Sequence, residues 1–295
     1  MNSIDIESKK FLGQPKNFVS IFNALLFDGK QVLKPEYLKD ENSELVMNVS
    51  SKHVDIIKRY EDGTYLDLFV IESQSYVDPS MVARVMEYES VARMRYIRQN
   101  FKKHVPMHTR LPMILTVVLY VGESKWNAAK RLSELEIIHP GFEDMFNEFK
   151  LNLIELNTNH KYNTGEKATQ DFFDLLRMIY RKQILKEDLD REFNRDALYF
   201  AYVVTKNKEL LNIYQKSEKG DVKVCRALDE MFEESTNKGI QMGIKQGIEQ
   251  GIEQGIALNQ FEVYQTMLDK GFSVKDIASI FSVSEESIKK LLMKA

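Results

Sequence analysis

Residues 111–121 read LPMILTVVLYV, a near-continuous apolar run rich in β-branched residues and ended by Gly122. A strand of this kind has no polar face to offer to water, so it is buried on both sides, as in sheets covered by helices. Two shorter β-prone runs come before it, 54–60 (VDIIKRY) and 65–71 (YLDLFVI), separated by Glu61, Asp62, Gly63 and Thr64. Asp-Gly between such runs is a strong hairpin signal. Residues 151–156 (LNLIEL) read as one more short strand.

Helical patterns flank these runs. In 15–27, Phe18, Ile21, Phe22, Leu25 and Leu26 recur at spacings of three and four, with Pro15 in the first turn. Asp78-Pro79 signals a second helix, with Asp78 as its N-cap, running to about Asn100. From about residue 168 the chain reads as helical, with candidates at 168–185, 187–214 and 221–258 and short helices in the last 36 residues. This order predicts an α/β core over 1–185, with a mixed central sheet flanked by helices, and an all-helical C-terminal extension. The extension divides into 186–236, a Gly-Ile repeat at 237–258 and a small helix-turn-helix-like module at 259–295. In that module Ser273 with Asp276, and Ser282 with Glu285, have capping-box spacing. Its would-be reading helix offers Ser284, Glu285, Ser287 and Lys289, so DNA reading and simple packing both stand open.

Composition narrows the function classes. At 43% hydrophobic and 29% charged, the chain is not disordered throughout. A net charge of −3 excludes a polybasic coat, so any nucleic-acid contact needs a local patch. Cys225 is the only cysteine, which excludes an internal disulfide. The first residues lack the apolar region of a signal peptide, and the run 113–121 is too short to span a bilayer. A cytoplasmic protein with no membrane partner is expected.

The hairpin carries the candidate chemistry. Glu72 and Gln74, two apart at the end of its second run, point to one face. A turn centred near 62–63 pairs residue i with 125 − i or 126 − i, setting position 53 or 54 opposite 72 and Asp55 beside it. Two carboxylates and an amide suit a hard cation such as Mg²⁺, with Mn²⁺ as a substitute. Such an ion polarises a phosphodiester and lowers the pKa of an attacking water. In the next helix Arg84, Tyr88, Val91, Arg95 and Arg98 step by four and three along one face. The stretch 84–110 holds seven Lys or Arg against two Glu, so Arg84, Tyr88, Arg95 and Arg98 are candidate DNA contacts. Each feature also has an ordinary reading as a solvated strand end or helix face, and His53 and Asp67 are read that way.

These residues, with LLFDGKQVLKPE at 25–36, VDIIKRYEDGTYLDLFVIESQS at 54–75, VDPSMVARVMEYES at 77–90, the Gly-Ile repeats and GFSVKDIASIFSVSEESIKKL at 271–291, carry a resemblance over most of the chain. The chain resembles the recombination-promoting nuclease/putative transposase family, a bacterial branch of the PD-(D/E)XK nuclease superfamily. The resemblance implies a restriction-endonuclease-like fold and Mg²⁺-dependent cleavage of DNA, linked to recombination or mobile elements. It implies that Asp55 and Glu72 are metal ligands, and that Gln74 takes the place of the superfamily lysine. Gln74 can hydrogen-bond a water or a phosphate oxygen but cannot move a proton near pH 7. The superfamily often adds an acidic ligand from the first helix. Residues 15–27 hold none, and Asp28 just beyond is the candidate third ligand.

Gly239, Gly243, Gly247, Gly251 and Gly255 are five of only thirteen glycines, each followed by isoleucine. Spacing of four makes a glycine stripe beside an isoleucine stripe on a helix, each drifting about 40° per repeat. Five interior glycines cost on the order of 4–5 kcal/mol relative to alanine. The helix therefore needs a packed partner, or else serves as a tether, and a homo-oligomer through the repeat is one expectation. The polar residues between exclude the membrane form of such a contact. The rival to a nuclease is a catalytically weak or silent nuclease fold that binds DNA or protein and whose repeat sets the oligomeric state.

Overall fold

The computed structural model describes residues 3–40, 56–63, 66–184, 188–217 and 220–294. The chain divides into two compact units, 1–230 and 231–295. The first is an α/β unit around a five-stranded mixed sheet. Its opening elements are α1 (Ser3–Leu12), α2 (Pro15–Phe27), β1 (Leu38–Asp40), β2 (Ile56–Glu61), β3 (Leu66–Gln74) and α3 (Met81–Asn100). Then come β4 (Ile114–Tyr120), β5 (Asn152–Glu155), α4 (Lys167–Arg181), β6 (Glu192–Phe193), α5 (Arg195–Thr205), α6 (Lys208–Lys216) and β7 (Val222–Lys223).

The sheet order is β1-β2-β3-β4-β5. β1 and β3 each pair antiparallel with β2, while β3, β4 and β5 run parallel. The hairpin forms around Asp62-Gly63, and Gly63 takes a φ of +90°, which a side chain would resist. Its register pairs Ile56 with Ile71 and Glu61 with Leu66, so partners sum to 127 rather than 125 or 126. The loop has four residues, longer than the expected turn, and each extra residue shifts the ladder by one.

Alternation along β3 sorts its residues between two layers. Leu68 and Val70 pack with Ile57, Tyr88, Ala92 and Ile114 beneath α3. Phe69, on the other face, meets Phe22 of α2 at 4.7 Å and Tyr60 of β2 at 5.7 Å between ring centroids. Behind α2 an aromatic stack of Phe11, Phe172 and Phe200 ties α1, α4 and α5 together. The run 114–121 is buried almost without interruption, as its composition requires.

Three local expectations need correction. The candidate helix 187–214 is broken into β6, α5 and α6, because the side chains of Asn194 and Asn207 cap new helices and Lys206 turns into the left-handed region. Asp78 is not the N-cap of α3. The helix starts at Met81 with Ser80 at the cap position, and the Asp78 carboxylate is engaged elsewhere. Ser282 does not open a capping box with Glu285. It is the left-handed C-cap of α8 (Val274–Phe281), and Ser284 takes up the backbone N–H of Ser287 at the head of α9 (Glu285–Lys294).

The helix α7 (Cys225–Asp269) is continuous through the Gly-Ile repeat. In the second unit, its last turns pack with α8 and α9 on Tyr264, Ile277 and Ile288. The Ser273–Asp276 capping box forms as its spacing predicts. No described helix is long and apolar enough to cross a membrane.

Candidate active site

The carboxyl ends of parallel strands are where open α/β sheets take their ligands, and the buried Glu72, Gln74 and Glu155 lie there. Continuing the alternation of Leu68 and Val70, Glu72 and Gln74 emerge on the α3 face at the end of β3. Glu72 lies beside Val118 of β4 and Gln74 beside Tyr120. One strand further, Glu155 ends β5 beside Tyr120 and pairs with Lys130. Gly122 lets the chain leave β4 closely: a Cβ there would come within 2.8 Å of the Ser75 carbonyl oxygen.

Glu72 and Gln74 are only 2% and 6% exposed. Gln74 Nε2 donates to Glu72 Oε1 at 2.9 Å. Arg84, on the first turn of α3, reaches back to the same oxygen through Nη2 at 2.9 Å, while its Nη1 donates to Asp78 Oδ2 at 2.5 Å. Its Nε and Nη2 also donate to the Tyr88 hydroxyl at 3.0 and 2.8 Å. The other Asp78 oxygen accepts from the Ser80 backbone N–H and hydroxyl at 2.9 and 2.6 Å. One guanidinium thus bridges two carboxylates and a phenol, held in the fork geometry that only arginine offers. Gln74 Oε1 is buried and accepts no hydrogen bond among the described residues.

The electrostatics follow from this wiring. Burial opposes ionisation of Asp78, but hydrogen bonds from Ser80 and Arg84 outweigh it and hold the carboxyl below its ordinary range. Burial, then the nearby Glu72 charge, push the Tyr88 phenol up, so it stays protonated at neutral pH. Arg84 is held cationic: burial works against the charge, and Tyr88, Asp78 and Glu72 more than compensate.

Of the residues singled out in the sequence, Glu72, Gln74, Arg84 and Tyr88 come together. Arg84 and Tyr88 face inward onto the carboxylates. Arg95 is partly exposed; Arg98, in the last turn of α3, is exposed, as are Lys102, Lys103 and Arg110 in the segment that follows. Asp55 and His53 lie outside the described residues; the next residue, Ile56, pairs with Ile71, which precedes Glu72. Asp28 is the exposed left-handed C-cap of α2, and its carbonyl accepts from Asn163. Asp67 accepts from the Met113 backbone N–H. No group of three or more His, Cys, Asp and Glu side chains is placed to hold one ion among the described residues.

Asp78 and Glu155 escape sequence reasoning. Asp78 has the helix-start signature, which hides its second use, and Glu155 reaches the site only through the non-local pairing of β4 with β5.

A family model described as "Putative transposase, YhgA-like" matches residues 9–210, which include the whole five-stranded sheet. No curated protein matches the chain. No solved structure matches it either.

Proposed function

The chain belongs to the YhgA-like putative transposase family, the PD-(D/E)XK-like recombination-promoting nuclease group, and from that premise we propose that it is a metal-dependent DNA endonuclease on a restriction-endonuclease-like core. Membership carries a nuclease or mobile-element role. The observation that carries the finer reading is Glu72: a carboxylate 2% exposed, at the carboxyl end of a central strand, with the buried Gln74 amide oxygen beside it. Oxygen donors of these types fit Mg²⁺ or Mn²⁺. In this reading Asp55 and Glu72 hold the ion and the Gln74 amide oxygen completes the protein's share. The ion, when bound, supplies Lewis-acid activation of the phosphodiester and of water.

The chain's own residues do the rest. Arg84 orients the Glu72 carboxylate, and Asp78 holds Arg84 in place. These are positioning residues, of the type that tune a ligand from behind. Tyr88, protonated and buried, fixes the guanidinium from its other side. Gln74 donates to Glu72 through Nε2, so its oxygen is left to orient a ligand. Asp78, held below its ordinary range, and Tyr88, pushed above its own, keep one protonation state near pH 7 and do not shuttle protons. Arg98 and the exposed Lys102, Lys103 and Arg110 would meet the DNA backbone, supplying affinity without sequence choice.

A second reading has its own support. Arg84 already occupies Glu72 Oε1. A fold wired in this way would bind DNA or protein without cutting. Incubation of the purified chain with supercoiled plasmid and Mg²⁺ or Mn²⁺ separates the two readings. Metal-dependent nicking that disappears in Asp55→Ala and Glu72→Ala supports the nuclease. Nicking that survives both substitutions refutes the site, and DNA binding with no nicking in either metal favours the silent module.

A further inference from the structure

Lys58 stands in the middle of β2 opposite Phe69, so alternation sets it on the α2 face of the sheet, away from Glu72. It is 7% exposed, and a lysine is almost never buried to that degree without partners for its charge. Its ammonium carries three N–H donors. One goes to Asp40 Oδ1 at 2.6 Å, and the Phe18 ring centre lies 5.9 Å from the nitrogen. No other acceptor meets it among the described residues. Asp40 is a weak counter-ion, because its side chain is 93% exposed and water screens it. A buried cation thus keeps donors to offer.

Lys58 opens on a cleft of about 520 Å³ between α1, the start of α2 and the β1–β2 edge, a volume in the range of small-molecule sites. Lys9 and Lys10, in the last turn of α1, line it as well. Lys9 has no ion pair among the described residues, and Lys10 has a loose one, to Glu7 at 3.7 Å. Gly13 makes the corner between the two helices, where a Cβ would come within 2.2 Å of the Lys9 carbonyl oxygen. The corner brings the start of α2 to the cleft with no side-chain cap, which adds to a field that already favours an anion. Three lysines against one aspartate leave two positive charges in excess, while Leu38 and Ile56 supply apolar wall. A phosphate monoester carries close to two negative charges at neutral pH and three acceptor oxygens. We propose that this cleft binds a phosphate monoester on a small organic body, a nucleotide in size. The phosphate lies against Lys58, Lys9 and Lys10, where it competes with Asp40, and the body lies against Leu38 and Ile56.

The test is calorimetric titration of the full chain with thymidine monophosphate and, separately, with inorganic phosphate, at fixed salt and with a chelator present. One saturable site should take the nucleotide more tightly than the bare anion. Lys9→Gln together with Lys10→Gln should weaken it about tenfold or more, with the helical circular dichroism unchanged. Asp40→Asn removes the competitor for Lys58 and should tighten it. Glu72→Ala should leave it as it is, since that residue lies on the other face of the sheet; the nuclease reading therefore stands or falls separately. Titration with no saturable binding, or an affinity that neither the lysine pair nor Asp40→Asn moves, overturns the proposal. Loss of binding in Glu72→Ala overturns it by placing the ligand elsewhere, and inorganic phosphate bound as tightly as the nucleotide overturns the organic body.

Discussion

Two arginine-centred clusters in the first unit look alike in composition and differ in how they are closed. Around Arg84 stand Glu72 and Asp78; around Arg191 stand Asp171, Asp174 and Asp188. In the Arg191 cluster the protein itself satisfies the buried acids. Asp171 takes Arg191 on one oxygen and both Lys167 and the Asn194 backbone N–H on the other. Asp174 takes Arg191 on one oxygen and Arg177 and Gln170 on the other. Arg191 also lies over the Phe193 ring at 4.6 Å. This set anchors α4 to the short strand β6 and to the cap of α5. In the Arg84 cluster the acids sit where parallel strands stop, and a buried amide oxygen beside them has no donor among the described residues. A buried acid is common to both; a buried acceptor with no donor among the described residues distinguishes the Arg84 cluster.

That contrast can be broken by exchanging phenotypes. Glu72→Ala should drop nicking to background with the fold retained, since Arg84 keeps Asp78. Arg191→Ala should do the reverse. It strips a cation from acids that are almost fully buried and should cost about 3 kcal/mol of stability, read by chemical denaturation, with nicking per folded molecule unchanged. If Arg191→Ala abolishes nicking in folded protein, the two clusters are not separate in role. A gentler change sharpens the positioning role. Arg84→Lys keeps the charge but loses the fork, and should weaken Mn²⁺ binding about 10–100-fold while the unfolding midpoint moves little. Titration calorimetry gives that ratio.

How much of this was legible from residues alone depended on the range of each signal. The hairpin, the buried strand at 114–120, and the helices α2 and α3 rest on local patterns, namely Asp-Gly, a continuous apolar run and three-four spacing, though α3 starts at Met81 and not at Asp78. The register slipped because it depends on loop length, which Asp62-Gly63 does not encode. Glu72 and Gln74 were legible as a pair because strand alternation is local. Their wiring was not: Arg84 meets Asp78 and Glu72 across 6 and 12 positions, and a helical stripe of Arg84, Tyr88, Arg95 and Arg98 does not say which members turn inward. The break between α5 and α6 hid in the polar residues around Asn207, where a cap and an ordinary surface asparagine read alike.

Smaller effects follow from the same wiring. Because Asp78 is held below its ordinary range, its ionised form stabilises the fold. That contribution is complete above about pH 4, the usual carboxyl value, and fades as pH falls through the depressed native value. The stability gap between wild type and Asp78→Asn should therefore be full at neutral pH and close below about pH 4; a gap that persists there contradicts the assignment. At the exposed end of α3, Arg98→Ala should lower the slope of log affinity for duplex DNA against log salt by about 0.9, one phosphate contact. An unchanged slope removes Arg98 from the interface.

The central claim is that the Glu72 cluster takes a cation and the Arg191 cluster does not. Thermal unfolding across an Mn²⁺ series tests it most directly, because a ligand bound only by the folded state raises the midpoint with concentration. Wild type should climb, Glu72→Gln should stay flat, and Asp171→Asn should start lower and climb by as much as wild type. An equal rise in Glu72→Gln would contradict the account.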